Sequence, residues 1–101
     1  MVMLFMNPTV RNFLLSHGYV YTFRVKRHKK GKDWATEKRT GKKLCDITIQ
    51  EERPIRDASE LQQFVQGSGF KSLEEWVQAI REYNPKLRDI LGWIYLVSKL
   101  D

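Results

Sequence analysis

The pattern of apolar and polar positions divides the chain into eight short elements. Met3–Met6 is an apolar run, expected as a strand. Beyond it, Val10, Phe13, Leu14 and His17 fall on one helical stripe. Asn7 is a good N-cap, Pro8 suits the first helical position and Gly18 suits the stop, so a helix is expected over Pro8–His17. Tyr19–Arg27 then changes to an alternation of period two. Tyr19, Tyr21, Phe23 and Val25 make one face, expected to be core. Val20, Thr22, Arg24 and Lys26 make the other, expected to be wetter.

The next stretch is polar and long, and a structureless loop of that length is unusual in a small domain. Gly31 and Gly41 are turn signals, and the residues 33–37 between them suit a short strand. Lys43–Gln50 is a better one, with Cys45, Ile47 and Ile49 on one face. These strands are expected to form a β-meander with two turns at opposite ends of the sheet, roughly 15 Å apart. Pro54 is expected to break the pattern. Residues 58–67 suit a helix with Leu61, Phe64 and Val65 on one stripe, ended by Gly67 to Gly69. Ser72 and Glu75 have the spacing of a capping box. The helix they start carries Leu73, Trp76, Val77, Ile80 and Tyr83 on its apolar stripe and stops at Asn84-Pro85. Ile90–Val97 is nearly all apolar, as in a strand buried on both faces. The order is β-α-β-β-β-α-α-β, an α+β chain with a small mixed or barrel-like sheet and one domain over residues 1–101.

Composition agrees with one small core: 101 residues, 42% hydrophobic and 30% charged. One cysteine excludes an internal disulfide and fits a reducing compartment. No apolar run is long enough to span a membrane and no signal peptide is evident, so a cytoplasmic protein without a membrane partner is expected.

Charge changes the picture more. Residues 24–43 hold ten Lys and Arg against two acids, a net of +8, while the rest of the chain holds eight against ten, a net of −2. The excess thus sits in one fifth of the chain, the distribution expected for contact with a polyanion rather than for solubility alone. A solvated face is the plain alternative. Trp34 lies in the middle of this block. It either anchors the meander to the core or serves as a stacking platform for a base, with lysines on the phosphates.

Catalytic and metal chemistry find little support. Cys45 sits on an apolar strand face, where a small core residue is expected. His17 and His28 have no local partner, and no spacing of histidine and cysteine suits a metal. Glu51-Glu52 and Glu74-Glu75 are adjacent and point to different faces. The Gly67–Gly69 run reads as a helix stop, not a phosphate cradle. No cofactor is expected. Trp76 and Trp93 are expected in the core.

The order of elements, the Gly18, Thr22 and Arg24 run from first helix into second strand, and the helix beginning "GFKSLEEWVQAIREY" resemble the ASCH domains of the PUA-like superfamily, especially small free-standing archaeal members. The resemblance covers nearly the whole chain. It implies a PUA-like mixed β-barrel of about five strands with helices flanking a cleft, and RNA binding at family level. One branch resembles acetylcytidine amidohydrolases, which use a lysine and a threonine on this strand. Thr22 is present here, but Val20 or Tyr21 occupies the lysine position, so Thr22 lacks an activating base.

The expected function is therefore non-catalytic nucleic-acid binding, of RNA, by a monomer. Lys29, Lys30, Lys32, Lys38, Arg39, Lys42 and Lys43 would meet phosphates, with Arg27 beside them. Thr22, Arg24 and Lys26 would line a cleft, and Trp34 would stack. A small-molecule or nucleotide-processing enzyme using the same cleft, and a protein-interaction module for an acidic partner, are the alternatives. A deep pocket under Arg24, as against an open basic surface, separates them.

Overall fold

The computed structural model describes residues 2–37 and 41–100, the side chain of Val2 aside. Five strands form one mixed, strongly curled half-barrel sheet with helices at its flanks. The elements are β1 (Val2–Leu4), α1 (Pro8–His17), β2 (Tyr19–Arg24), β3 (Gly31–Thr36), β4 (Lys43–Ile55), a 3-10 helix (Ala58–Gly67), α2 (Leu73–Tyr83) and β5 (Gly92–Leu100). Their order along the chain is the expected one. Across the sheet it is β1-β3-β4-β5-β2, with β1 parallel to β3 and the other pairs antiparallel.

Local chemistry explains the helix ends. The Asn7 side chain accepts the Thr9 N–H at 2.9 Å, and Gly18 closes α1 at φ 82°, a left-handed conformation that suits glycine. Val10 and Leu14 bury the stripe, while His17 is exposed and stacks on Phe13 at 4.0 Å. Ser72 accepts the Glu75 N–H at 3.2 Å, the first half of a capping box; no return contact from the Glu75 side chain accompanies it. Ser72→Ala is expected to cost about 1 kcal/mol in chemical denaturation. A change within error would show that the first turn of α2 is held by packing alone. The return contact occurs instead before the 3-10 helix, where the Glu60 carboxylate accepts the Arg56 and Asp57 N–H groups at 2.8 and 2.9 Å.

Three expectations are corrected. The first is the meander. β3 and β4 form a hairpin, but β2 does not pair with β3; β5 and β4 lie between them. Residues 25–30 therefore cross the sheet rather than turn. The His28 N–H donates to the Tyr95 hydroxyl at 2.5 Å, and Arg27 grips Glu51 with two bonds of 2.9 and 3.0 Å, which fixes this crossing over β5 and β4. The apolar β5, buried on both sides, outcompetes the polar β3 as the neighbour of β2.

The second is Pro54, which does not end β4. The strand runs on to Ile55 through a register shift between Glu51 and Arg53. β3 stops pairing at Ile49, so beyond that point β4 has only β5 beside it. A locally open edge tolerates the missing proline N–H.

The third is the polarity of β2. Val20 and Thr22, on the face expected to be wetter, are buried, and Tyr19 on the opposite face is exposed. Both faces of β2 are covered along most of its length, with Tyr21 against Phe64 of the 3-10 helix. Tyr83, expected on the buried stripe of α2, is also exposed. The core gathers Met3, Leu14, Val20, Ile47, Leu61, Ile94, Tyr95 and Val97.

Candidate anion-binding cavity

β2 ends at Arg24, and its last turns of alternation decide where the cationic head goes. Thr22 is buried on the interior face, and Arg24, two residues on, follows it. The two line a cavity of about 240 Å³. Its walls come from the Leu4–Asn7 connection after β1, from Val10 of α1, from Phe70, and from Trp76, Ala79, Ile80 and Tyr83 of α2. Arg11 ties that connection in place by donating to the Phe5 carbonyl at 3.2 Å. Phe70 stacks on Trp76 at 6.2 Å, and the Ser68 hydroxyl accepts the Phe70 N–H at 3.1 Å. The walls are thus fixed from three elements, whereas Met6 and Tyr83, half exposed, lie where the cavity meets solvent.

The guanidinium of Arg24 lies 5.1 Å from the centre of the Phe5 ring, a cation–π approach. It makes no hydrogen bond or ion pair with any described residue, and its Nε is buried without a partner. Burial pulls its pKa down to about 10, with the Tyr95 hydroxyl opposing that fall slightly. The side chain is therefore still a cation at neutral pH, partly buried among mainly apolar walls that open to solvent. Among the described residues, no carboxylate and no second cation lines the cavity. The hydroxyl of Thr22 is likewise without a hydrogen-bond partner among the described residues. A buried charge without a counter-charge is costly. An anion in the cavity would supply the missing partner, and the planar guanidinium suits a carboxylate or phosphate bidentately.

The remaining basic residues form separate groups. Lys26, Arg27, Lys29 and Lys30 lie on or beside the crossing segment, and Lys32 opens β3. Of these, Arg27 is committed to Glu51, whose carboxyl it holds below the usual range. Lys26, Lys29, Lys30 and Lys32 are exposed and form no ion pair with another described residue. Lys42 and Lys43 lie at the far end of β3, and Lys43 pairs with Asp46 at 3.0 Å. Lys38 and Arg39, between them, fall outside the described residues.

Trp34 is 36% exposed on β3, on the same face as Lys32, so it is no core anchor. It is two strands removed from β2 and does not line the cavity. The expected site thus divides into a cavity with Thr22 and Arg24, a crossing segment of lysines, and a β3 surface with Lys32 and Trp34. Cys45 is half-buried, and burial raises its thiol pKa, as expected of a packing residue. Among the described residues no cluster suits a metal ion, and no helix is long and apolar enough to cross a membrane.

The sequence reading missed Phe5, Asn7, Tyr83 and Asn84 as cavity residues. Asn7 and Asn84 carry a legible signal as helix caps, but nothing in their spacing brings the two ends of different helices together. Compared with family models, with curated proteins and with solved structures, the chain finds no match.

Proposed function

We propose that the protein is a non-catalytic binding module for single-stranded nucleic acid, RNA in particular. The observation that supports this most is the partly buried Arg24 cation, without a hydrogen-bond or ion-pair partner among the described residues, at a cavity from which the lysine-bearing crossing segment continues directly. One phosphate meets Arg24 and Thr22 in the cavity. The neighbouring phosphates meet Lys26, Lys29, Lys30 and Lys32, and Trp34 offers a face for a base farther along. The curled five-stranded sheet with flanking helices is compatible with the PUA-like fold of the ASCH domains, and we assign the chain there on that ground together with the Gly18, Thr22 and Arg24 run. The concave, mainly apolar lining of the cavity around one cation favours a second reading, a site for a small anionic molecule independent of nucleic acid.

Fluorescence anisotropy with labelled single-stranded RNA tests the first reading. If about four phosphates are neutralised outside the cavity, the logarithm of the association constant should fall with that of salt at a slope near −3. Charge reversal at Lys26, Lys29, Lys30 and Lys32 should flatten the slope and weaken binding to all sequences. Wild type and the reversed variant binding equally weakly at moderate salt would leave the lysines as a solvated face.

A further inference from the structure

The charge count of the cavity says more about what enters it. Among the described residues, Arg24 is its one cation, and no aspartate, glutamate or histidine lines it. Phe5, Phe70, Trp76 and Ile80 are buried and contribute apolar surface, while Asn7, Thr22, Tyr83 and Asn84 contribute uncharged polar groups. A singly charged anion seated on Arg24 makes the enclosure neutral. A doubly charged anion neutralises Arg24 and leaves a second charge that no cation among the described lining residues offsets. The exposed Lys26, Lys29, Lys30 and Lys32 do not offset this charge, because none of these four lines the cavity.

We propose that the Arg24 cavity selects singly over doubly charged anions, and that nucleic acid therefore engages it through an internal phosphodiester rather than a terminal phosphate. An internal phosphodiester carries one negative charge. A terminal phosphomonoester carries nearly two at pH 7, because its second ionisation lies at about pH 6. This inference rests on the nucleic-acid reading above and states which part of the strand the cavity accepts. The room available, about 240 Å³, suits one unstacked nucleotide and not a stacked pair. The Phe5 ring beneath the guanidinium keeps the cation in place without satisfying it as a counter-ion would.

Calorimetric titration of the intact chain separates the possibilities with probes of similar size and different charge. Cytidine 3′,5′-cyclic monophosphate holds a singly charged phosphodiester, and cytidine 5′-monophosphate holds a phosphomonoester. At pH 7.5 the cyclic nucleotide should bind at least about tenfold more tightly. Lowering the pH to 5 should strengthen binding of the 5′-monophosphate by several-fold, as it becomes singly charged, and leave the cyclic nucleotide unchanged. Arg24→Met should abolish both, with Arg24→Lys retaining the charge preference at reduced affinity. A short oligocytidylate should bind equally well with and without a 5′-phosphate.

Equal or tighter binding of the 5′-monophosphate at pH 7.5, or failure of both mononucleotides while the oligonucleotide binds, overturns the phosphodiester assignment and leaves the nucleic-acid reading standing. Binding of benzoate that depends on Arg24, with no binding of oligonucleotide or cyclic nucleotide, sinks the nucleic-acid reading and the assignment with it. Cyclic-nucleotide binding that survives Arg24→Met places the ligand elsewhere and also overturns the proposal.

Discussion

Arg24→Met is expected to raise the thermal midpoint of the ligand-free protein by a few degrees. Methionine has a similar length and no charge. The folded state holds the Arg24 pKa down at about 10, well below its ordinary range, so it disfavours the cation. That fall is a loss of stability at neutral pH, moderated because Arg24 is only partly buried. The sign follows from linkage. Below pH 10 both states keep the proton, and the unfolded chain solvates the cation better, so the full penalty is present. It lifts only as pH rises through 10 toward the ordinary arginine range. Removing the charge removes the penalty at every pH, while the same substitution should eliminate anion binding. Scanning calorimetry with and without cytidine 3′,5′-cyclic monophosphate reads both effects. A midpoint that falls in the ligand-free variant would mean that packing around the guanidinium contributes more than its charge costs. A residue that weakens the fold and strengthens the site is the usual compromise of functional positions.

Gly92→Ala should be the most disruptive single-methyl addition near the site. A Cβ at Gly92 would lie 2.3 Å from the Arg24 carbonyl oxygen and 2.8 Å from the Phe23 ring. The first neighbour is backbone and cannot rotate away. β2 and β5 would have to separate where Arg24 opposes Trp93, at the point that aims the guanidinium into the cavity. Overpacking of this kind costs about 3 kcal/mol. Urea denaturation should show the loss, and any protein that remains folded should bind anions more weakly than wild type. A variant of wild-type stability would show that the two strands have slack at this point.

Local signals carried much of the fold, and the site was legible only in part. Asn7, Gly18 and Ser72 each act within one turn of chain, so their role follows from their own spacing. The extent of β4 was hidden because Pro54 is tolerated only where β3 has ended, a fact about a different strand. The face assignment of β2 failed because alternation reports exposure only when one sheet face is wet. Thr22 and Arg24 were visible as candidates, yet their isolation was not. Arg27 pairs with Glu51 where residues 25–30 cross over β4, while Arg24 faces the cavity without a hydrogen-bond or ion-pair partner among the described residues. Grouping all the basic residues into one surface missed that division between an enclosed cation and exposed lysines.

The position of β5 between β4 and β2 also bears on how the chain acquires its structure during synthesis. Tyr19 pairs with Ser98 and Arg24 with Trp93, so an early strand waits for a very late one. Until residues 92–100 leave the ribosome, β2 has no strand partner and the wall of the cavity that it supplies does not exist. The β3–β4 hairpin can form long before, since its contacts are local. Closing the sheet is then a single late event across nearly the whole sequence, with a large loop entropy to overcome. In that interval Tyr21 and Phe23 stand on an open edge, the kind of surface that associates with other chains.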